Sequence, residues 1–297
     1  MRVLNIGYFA DGPWSHNAFD KIIADNGLKV SFICARHDNP DPILKRYAEV
    51  NKIPFLTHPN VNSDEFFNSV KAFNCDILVS MSFNQIFKER IIDCVPYKII
   101  NCHAGKLPFY RGRNILNWAL INDEKEFGIT VHYVDSGIDT GDIIAQRSYQ
   151  ITDEDDYQSL LSRAYIGCAD VLYLAIKSLQ NGNVTRVPQQ TIHPVGFYCT
   201  CRKKGDEVIN WNTASRDLFN FVRAICKPGP QAQTTCNGFQ VKINKVQIIE
   251  NAVSYKGVPG AILWKEAGGF FVKTSDSFVR VVEWECEGNI RVGDRLK

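Results

Sequence analysis

Three residues near the middle of the chain, Asn101, His103 and Asp139, have side chains that can serve one reaction. Asn101 and His103 follow a strand-like run at 98–100, and because side chains alternate along a strand, both lie on the same face. Asp139 lies in a glycine-containing turn at 136–142, irregular backbone of the kind that borders sites. The amide can donate to a developing oxyanion, the imidazole can accept or relay a proton near neutral pH, and the carboxylate can orient the imidazole.

Asn-x-His alone is a weak signal, because a histidine at a strand end is more often structural, but the longer string around it is much stronger. In order the string contains Asn101-x-His103, Leu107-Pro108, Tyr110-Arg111-Gly112, Asn117-Trp118, Gly128-Ile129-Thr130-Val131-His132 and Asp139-x-Gly141-Asp142-Ile143-Ile144. It resembles the signature of the 10-formyltetrahydrofolate-dependent formyltransferases, and within them the enzymes that formylate an amine on a nucleotide-linked sugar. The resemblance implies that Asn101, His103 and Asp139 are the catalytic triplet. One departure is Ala104-Gly105-Lys106, since the family usually has a Ser and a Leu after the His.

The elements that must position these residues alternate between strands and helices. Apolar strand-like runs lie at 3–9, 30–35, 55–56 and 77–80, and helix-like segments lie between them at 15–23, 43–50 and 65–73. This alternation predicts an α/β fold with a doubly wound, Rossmann-like parallel sheet, whose ligands bind at the carboxyl ends of the strands. The residues of the triplet at 101 and 103 fall at such an end.

The loop at 81–87 follows a predicted strand, and from the residues alone a plain strand-to-helix connection is the favoured interpretation. The resemblance implies that this loop instead binds the pterin ring of 10-formyltetrahydrofolate, largely through main-chain groups, opposite the loop at 135–139. The implied cofactor-binding residues are Met81, Phe83, Gln85, Ile86, Phe87, Asp135, Ser136 and Gly137. No metal is expected, because Cys199-x-Cys201 lacks the spacing and the second ligand pair of a zinc site.

The second half of the chain changes character. A segment at 153–179 has helical periodicity, a connector at 188–205 contains the basic run Arg202-Lys203-Lys204, and short strands with glycine-containing turns follow. The pattern resembles the OB-like C-terminal domain of methionyl-tRNA formyltransferases and of some sugar formyltransferases. We therefore expect a catalytic domain with its connector at 1–205 and a smaller C-terminal OB-like β domain at 206–297.

Composition restricts the classes of function. The chain has 297 residues, 45% of them hydrophobic, and a formal net charge of +2, which argues against a strongly basic nucleic-acid binder. Ten scattered cysteines, several inside apolar runs, are typical of free thiols in a reducing compartment. The first residues contain no apolar stretch that suits a signal peptide or membrane span. We expect a cytoplasmic protein with no membrane partner. The sequence leaves open whether the protein forms a homodimer.

Three hypotheses remain for the function of the protein. Transfer RNA enzymes of the family typically carry a basic insertion after the second strand, whereas residues 35–42 here are acid-leaning, and residues 206–297 contain 12 Lys and Arg against 10 Asp and Glu. The leading expectation is therefore N-formylation of a nucleotide-linked amino-deoxy sugar, and dTDP-4-amino-4,6-dideoxyglucose is the preferred candidate. Such a reaction would serve the synthesis of surface polysaccharides such as the O-antigen, and no nucleic-acid partner is expected. The alternatives are a methionyl-tRNA formyltransferase and a catalytically silent folate-binding or RNA-binding module.

The sugar-nucleotide hypothesis assigns five substrate-binding residues. Trp14 lies in a turn that opens a helix and can present amide donors to a polar substrate group. The arginines are expected on the diphosphate, because a guanidinium fork suits phosphate oxygens. The assigned residues are Trp14, Tyr110, Arg111, Arg113 and Arg202.

Overall fold

The computed structural model describes residues 2–297, which form two compact units with interleaved segments. Unit 1 contains the chain up to Gly112, together with Phe127–Tyr149 and Ser162–Cys199. Unit 2 contains Arg113–Glu126, Gln150–Leu161 and Thr200–Lys297. The predicted domain boundary between residues 205 and 206 stays a prediction.

Unit 1 is built on a seven-stranded sheet with the order β3-β2-β1-β4-β5-β7-β8. Neighbouring strands from β3 to β5 are parallel, and β5 pairs with β7 antiparallel. The predicted α/β class with a doubly wound, mostly parallel sheet is confirmed. A short parallel pair, β6 with β9, lies outside the sheet. The strands are β1 Leu4–Ala10, β2 Leu28–Ala35, β3 Phe55–Thr57, β4 Ile77–Met81, β5 Ile99–His103, β6 Arg111–Gly112, β7 Glu126–Tyr133, β8 Ile143–Gln150 and β9 Tyr198–Cys199.

Three of the helices begin at side chains that satisfy their first free N–H groups. Asp41 Oδ1 accepts hydrogen bonds from the N–H groups of Ile43 (2.8 Å) and Leu44 (2.9 Å) at the start of α2, and Ser63 caps α3 in the same way. The long helix α6 begins later than predicted, because the Asp156 carboxylate accepts the N–H of Ser159 (2.9 Å) and so caps the first turn. The helices are α1 Pro13–Ile23, α2 Pro42–Asn51, α3 Asp64–Ala72, α4 Glu89–Ile92, α5 Ile115–Ile121, α6 Tyr157–Gln180 and α7 Ser215–Ile225.

Helix α6 has the length and apolar composition of a membrane span, but half of its apolar window is buried inside the protein, as in a core helix of a globular domain.

Phe9 at the end of β1 is the centre of the core that fixes the loop after β4. Its ring centroid lies 5.3 Å from that of Phe83 and 5.0 Å from that of Phe87, and both contacts are edge-to-face. Burial of an aromatic side chain is worth roughly 1.5–3 kcal/mol, and such ring pairs add to it. The loop at 82–87 is therefore attached to the core through its own residues Phe83 and Phe87.

Unit 2 contains a five-stranded antiparallel sheet with the order β10-β11-β14-β13-β12, covered by α7 through Leu218 and Val222. The predicted small C-terminal β domain is confirmed. Strand β11 is ten residues long, and its register against β14 shifts around Lys245. The strands are β10 Ala232–Cys236, β11 Phe239–Ile248, β12 Ile262–Glu266, β13 Gly269–Lys273 and β14 Phe278–Cys286.

Candidate active site

Asn101 and His103 lie at the carboxyl end of β5, which pairs with β4 on one side and with β7 on the other. On one side, Asn101 is opposite Ser80 of β4. That strand ends one residue later, at Met81, and the loop at 82–87 follows it. On the other side, β7 runs antiparallel and places His132 opposite Asn101 and Thr130 opposite His103. Because side chains alternate along β7, the polar residues Thr130 and His132 lie on the same face of the sheet, opposite His103 and Asn101.

The imidazole of His103 is buried, and its two nitrogens face a backbone carbonyl and a carboxylate. Nε2 lies 2.7 Å from the carbonyl oxygen of Tyr110, which can only accept, so Nε2 carries the proton and donates. Nδ1 faces Asp139 Oδ2 at 3.6 Å. Burial lowers the pKa of His103, against the opposing influence of the Asp139 carboxylate and the Tyr110 carbonyl, so the resting imidazole is neutral at pH 7. Proton exchange by His103 therefore takes place at Nδ1.

Asp139 accepts a hydrogen bond from a backbone donor and lies next to two imidazoles. Its Oδ2 accepts the N–H of Gly112 at 2.9 Å, and its Oδ1 lies 3.5 Å from Nε2 of His132. Burial raises the pKa of Asp139, but positive charge on the His103 and His132 rings, together with the Gly112 N–H, lowers it well below its usual range. Asp139 is therefore a carboxylate at neutral pH, and it stabilises any positive charge that His103 gains.

His132 is a residue that the predicted site did not include. Its Nδ1 lies 2.7 Å from its neighbour Tyr133's carbonyl oxygen, so in the neutral ring Nδ1 donates and Nε2 accepts. The Asn101 amide nitrogen is 3.3 Å from this Nε2 and donates one hydrogen to it, which leaves its second N–H for a developing oxyanion. The alternation of Thr130 and His132 in the motif was the available sequence signal.

The loop at 104–107, where the sequence departs from the family, is fixed from β7 and β8. The Thr130 hydroxyl donates to the Gly105 carbonyl at 2.6 Å, and Gln146 donates to both Thr130 Oγ1 (2.8 Å) and the Leu107 carbonyl (2.9 Å). A Cβ on Gly105 would lie 2.4 Å from His103 Nε2 and 2.5 Å from the Tyr110 carbonyl oxygen. The glycine therefore makes room for the hydrogen bond that orients the His103 imidazole.

The arrangement supplies two functions to an acyl-type reaction. Asn101 offers a donor for an oxyanion, and His103 with Asp139 forms one pair that can take up a proton at Nδ1. The catalytic roles of Asn101, His103 and Asp139 stay predictions, but their side chains converge on one point of unit 1.

The predicted cofactor loops lie next to this point, and several of their side chains are used by the protein itself. Gln85 bridges neighbouring loops, accepting from Val61 N (2.9 Å) and donating to the His58 carbonyl (2.8 Å). Asp135 Oδ1 accepts from the Thr140 hydroxyl (2.6 Å) and closes its own turn. Met81 and Phe87 are buried, Phe83 is half-buried, and Ile86, Ser136 and Gly137 are exposed. Irregular backbone with Ser82 at φ 58° suits main-chain recognition of a flat heterocycle.

The predicted substrate residues are distributed over both units. Trp14 packs edge-to-face against Tyr165 at 4.7 Å. Tyr110 is buried and supplies its carbonyl to His103, and Arg111 is buried with its guanidinium on Gln189 and on the Val195 carbonyl. Arg113 and Arg202 belong to unit 2. Because the guanidinium of Arg111 is buried and already hydrogen-bonded, it is not available for the expected contact with a diphosphate.

Both parts of the chain match models of one family. Residues 8–167 match the formyl transferase model, and residues 202–293 match the model of the formyl transferase C-terminal domain. The chain belongs to the formyl transferase family. It is a 10-formyltetrahydrofolate-dependent formyltransferase, as the sequence predicted, and this co-substrate supplies the activated formyl carbon.

Two curated relatives illustrate the similarity. The methionyl-tRNA formyltransferase of Geobacter metallireducens is 34% identical over 251 residues, covering 84% of this chain and 78% of the relative. That of Citrifermentans bemidjiense is 32% identical over 286 residues, covering 93% and 88%. The solved N-formyltransferase from Helicobacter canadensis, in complex with folinic acid and dTDP-3-aminofucose, shares the fold with a TM-score of 0.73 and 21% identity, covering 96% of this chain and 100% of that one.

The expected sugar-nucleotide acceptor, with its dTDP-sugar and O-antigen context, is wrong. Curated relatives that are 29–34% identical over most of the chain are methionyl-tRNA formyltransferases, whereas the sugar enzyme shares the fold at low identity. The physical reason lies in how charge was counted. The count began at residue 206 and so omitted Arg202, Lys203 and Lys204, although Thr200–Lys297 is one segment of unit 2.

Proposed function

We propose that this protein transfers the formyl group of 10-formyltetrahydrofolate to the amino group of methionyl-tRNA. The observation that carries the proposal is the identity of 34% and 32% to methionyl-tRNA formyltransferases, extending over 84% and 93% of the chain and therefore through both units. The triplet of Asn101, His103 and Asp139 supports the same chemistry, because it offers an oxyanion donor and a proton acceptor within one site.

In this proposal the neutral amine of the methionyl group attacks the formyl carbon and a new C–N bond forms. The formyl oxygen gains negative charge and accepts the second N–H of Asn101. The amine loses a proton to Nδ1 of His103, whose positive charge Asp139 stabilises at 3.6 Å. When the bond between the formyl carbon and N10 breaks, the proton passes to the leaving nitrogen and His103 returns to its neutral form.

A cleft in unit 2 supports an RNA acceptor. The basic run Arg202, Lys203 and Lys204 lines a cavity of about 380 Å³ together with Asn114 and Tyr157. Lys203 and Lys204 are exposed, while Arg202 is half-buried with its guanidinium 5.8 Å from the Trp118 ring and 5.5 Å from the Phe221 ring. Exposed cations beside a cavity are the groups that neutralise backbone phosphates, and they contribute affinity without reading sequence.

The test is formylation of charged initiator transfer RNA with 10-formyltetrahydrofolate, followed by release of formylmethionine from the RNA. Free methionine and uncharged transfer RNA are the negative acceptors, and His103→Ala is the inactive enzyme control. We expect formylmethionine only with the charged RNA. No product from charged initiator transfer RNA, under conditions where the protein binds folate, contradicts the proposal.

Affinity provides a second measurement. Lys203→Ala combined with Lys204→Ala should weaken RNA binding and reduce the slope of log affinity against log salt by roughly one for each phosphate contact removed. Lys297→Ala, another exposed lysine of unit 2, is the matched control. An equal salt slope in both variants contradicts a phosphate contact at this cleft.

We also propose that the protein works in a reducing compartment such as the cytoplasm. Its ten cysteines are free thiols within the described residues, and Cys34 and Cys168 are fully buried. Thiol titration of the native and unfolded protein from cells, without reductant, tests this, since any disulfide lowers the count below ten.

A further inference from the structure

Gln189, at the start of a 3-10 turn after α6, is buried at 3% exposure beside the predicted triplet. Its Oε1 accepts two hydrogens from Arg111, from Nε at 3.1 Å and from Nη2 at 2.7 Å. Its Nε2 donates to the carbonyl oxygens of Asp139 and Gly141, both at 2.8 Å. A side-chain amide has two acceptor positions and two hydrogens, so every hydrogen-bonding position of Gln189 is used.

Arg111 fixes the other side of this contact. Its third guanidinium nitrogen, Nη1, donates to the Val195 carbonyl at 3.1 Å, and the guanidinium lies 5.3 Å from the Tyr198 ring. Its backbone N–H donates to the Phe197 carbonyl at 3.2 Å in the short β6–β9 pair. Arg111 is therefore held at its guanidinium and at its backbone, and Gln189 links it to the turn that contains Asp139.

The Asp139 turn needs such support because its backbone is strained. Asp139 has a φ of 54°, a left-handed conformation that a non-glycine residue keeps only when its surroundings impose it. Gln189 holds the carbonyl of this residue, while the Gly112 N–H, adjacent to Arg111, holds its carboxylate at 2.9 Å. The two hydrogen bonds fix both ends of Asp139, and so they fix the direction in which its carboxylate faces His103.

We propose that Gln189 is a positioning residue for formyl transfer, which links Arg111 to the Asp139 turn and sets the orientation of the Asp139 carboxylate towards His103. Gln189 contacts no reacting atom in this role. The inference does not depend on the acceptor, because the orientation of the triplet precedes attack by any amine.

Two variants separate positioning from packing. Gln189→Met keeps the size of the side chain and removes all four hydrogen bonds. Gln189→Glu keeps acceptors for Arg111, so it preserves the fold, but it cannot donate to the Asp139 and Gly141 carbonyls. The matched control is Gln180→Met, because Gln180 also donates to a backbone carbonyl (Gly27, 2.7 Å) and accepts from a cation (Lys177, 2.6 Å), away from the triplet.

Two measurements are made on each folded variant of the full chain: formyl transfer, and titration of the His103 ring by NMR. We expect turnover of both Gln189 variants to fall by roughly tenfold to a hundredfold, with little change in the KM for the folate. The His103 titration of Gln189→Met, which adds no charge, should move to lower pH, because a displaced carboxylate no longer favours the charged ring. Turnover equal to that of Gln180→Met, or reduced turnover of Gln189→Met with an unchanged His103 titration, overturns the proposal.

Discussion

Replacement of Gly105 by alanine tests whether the Tyr110 carbonyl orients His103 for the proposed reaction. The new Cβ would lie 2.4 Å from His103 Nε2 and 2.5 Å from the carbonyl oxygen, about 1 Å inside ordinary contact. The imidazole must move away, and the 2.7 Å hydrogen bond breaks. A displacement of about 1 Å in a reacting group costs on the order of a hundredfold in rate, which corresponds to about 2.7 kcal/mol.

The assay is kcat/KM for formylation, with urea unfolding of the full chain measured in parallel. The control is Gly182→Ala, since Gly182 has a φ of 70° and a Cβ there meets nothing within 4 Å. That control loses roughly 1 kcal/mol of stability through backbone strain but leaves the site intact. If Gly105→Ala retains turnover within threefold of the unmodified protein, the Tyr110 hydrogen bond does not orient His103 for catalysis.

Three further predictions follow from the charges and donors of the two units. Asn101→Ala or His103→Ala should lower turnover by roughly a hundredfold or more while folate binding, followed by fluorescence, persists, and near-normal turnover contradicts the triplet. Asp139→Asn removes the charge that raises the pKa of His103, so the NMR titration of His103 should move further down in pH, and an unchanged midpoint contradicts the pairing. Arg216 lowers the pKa of Asp123 from 3.8 to about 2, so its stabilisation is complete above about pH 4 and is lost as the pH falls towards 2. The loss of unfolding free energy in Arg216→Met should therefore be smaller at pH 2 than at pH 6, and equal losses contradict that linkage.

The convergence of Asn101, His103 and Asp139 could be predicted in part because its signal is local. Asn101 and His103 are two residues apart on a strand, and a period of two fixes their common face before any tertiary contact is known. Their supports were harder to predict. His132 could have been found from the alternation on β7, whereas Gln189 is 50 residues from Asp139, and its polar run at 188–191 has no periodic signal.

The acceptor was mispredicted because it was inferred from what the sequence lacks and from an average over a segment. A net charge summed over residues 206–297 excludes the exposed Lys203 and Lys204, which line a cavity of the same unit. In the opposite direction, the sum counts buried cations such as Arg223 and Lys273, which do not face solvent, so it does not describe the charge of the surface. Affinity for a polyanion depends on where exposed charges lie, and that distribution requires the fold.

Rigidity around Asp139 comes mostly from backbone groups. Asp139 and Tyr110 both adopt left-handed φ angles, 54° and 56°, at a cost of about 1–3 kcal/mol each. The neighbouring glycines at 112 and 141 pass so close to other carbonyls that a Cβ would lie 2.3 Å from the Cys199 oxygen and 1.9 Å from the Tyr133 oxygen. A turn that is strained and closely packed has few alternative conformations, and donors from Gly112 and Gln189 select the one in which the carboxylate meets His103. Because backbone and buried amide groups set this geometry, a list of catalytic side chains alone does not specify it.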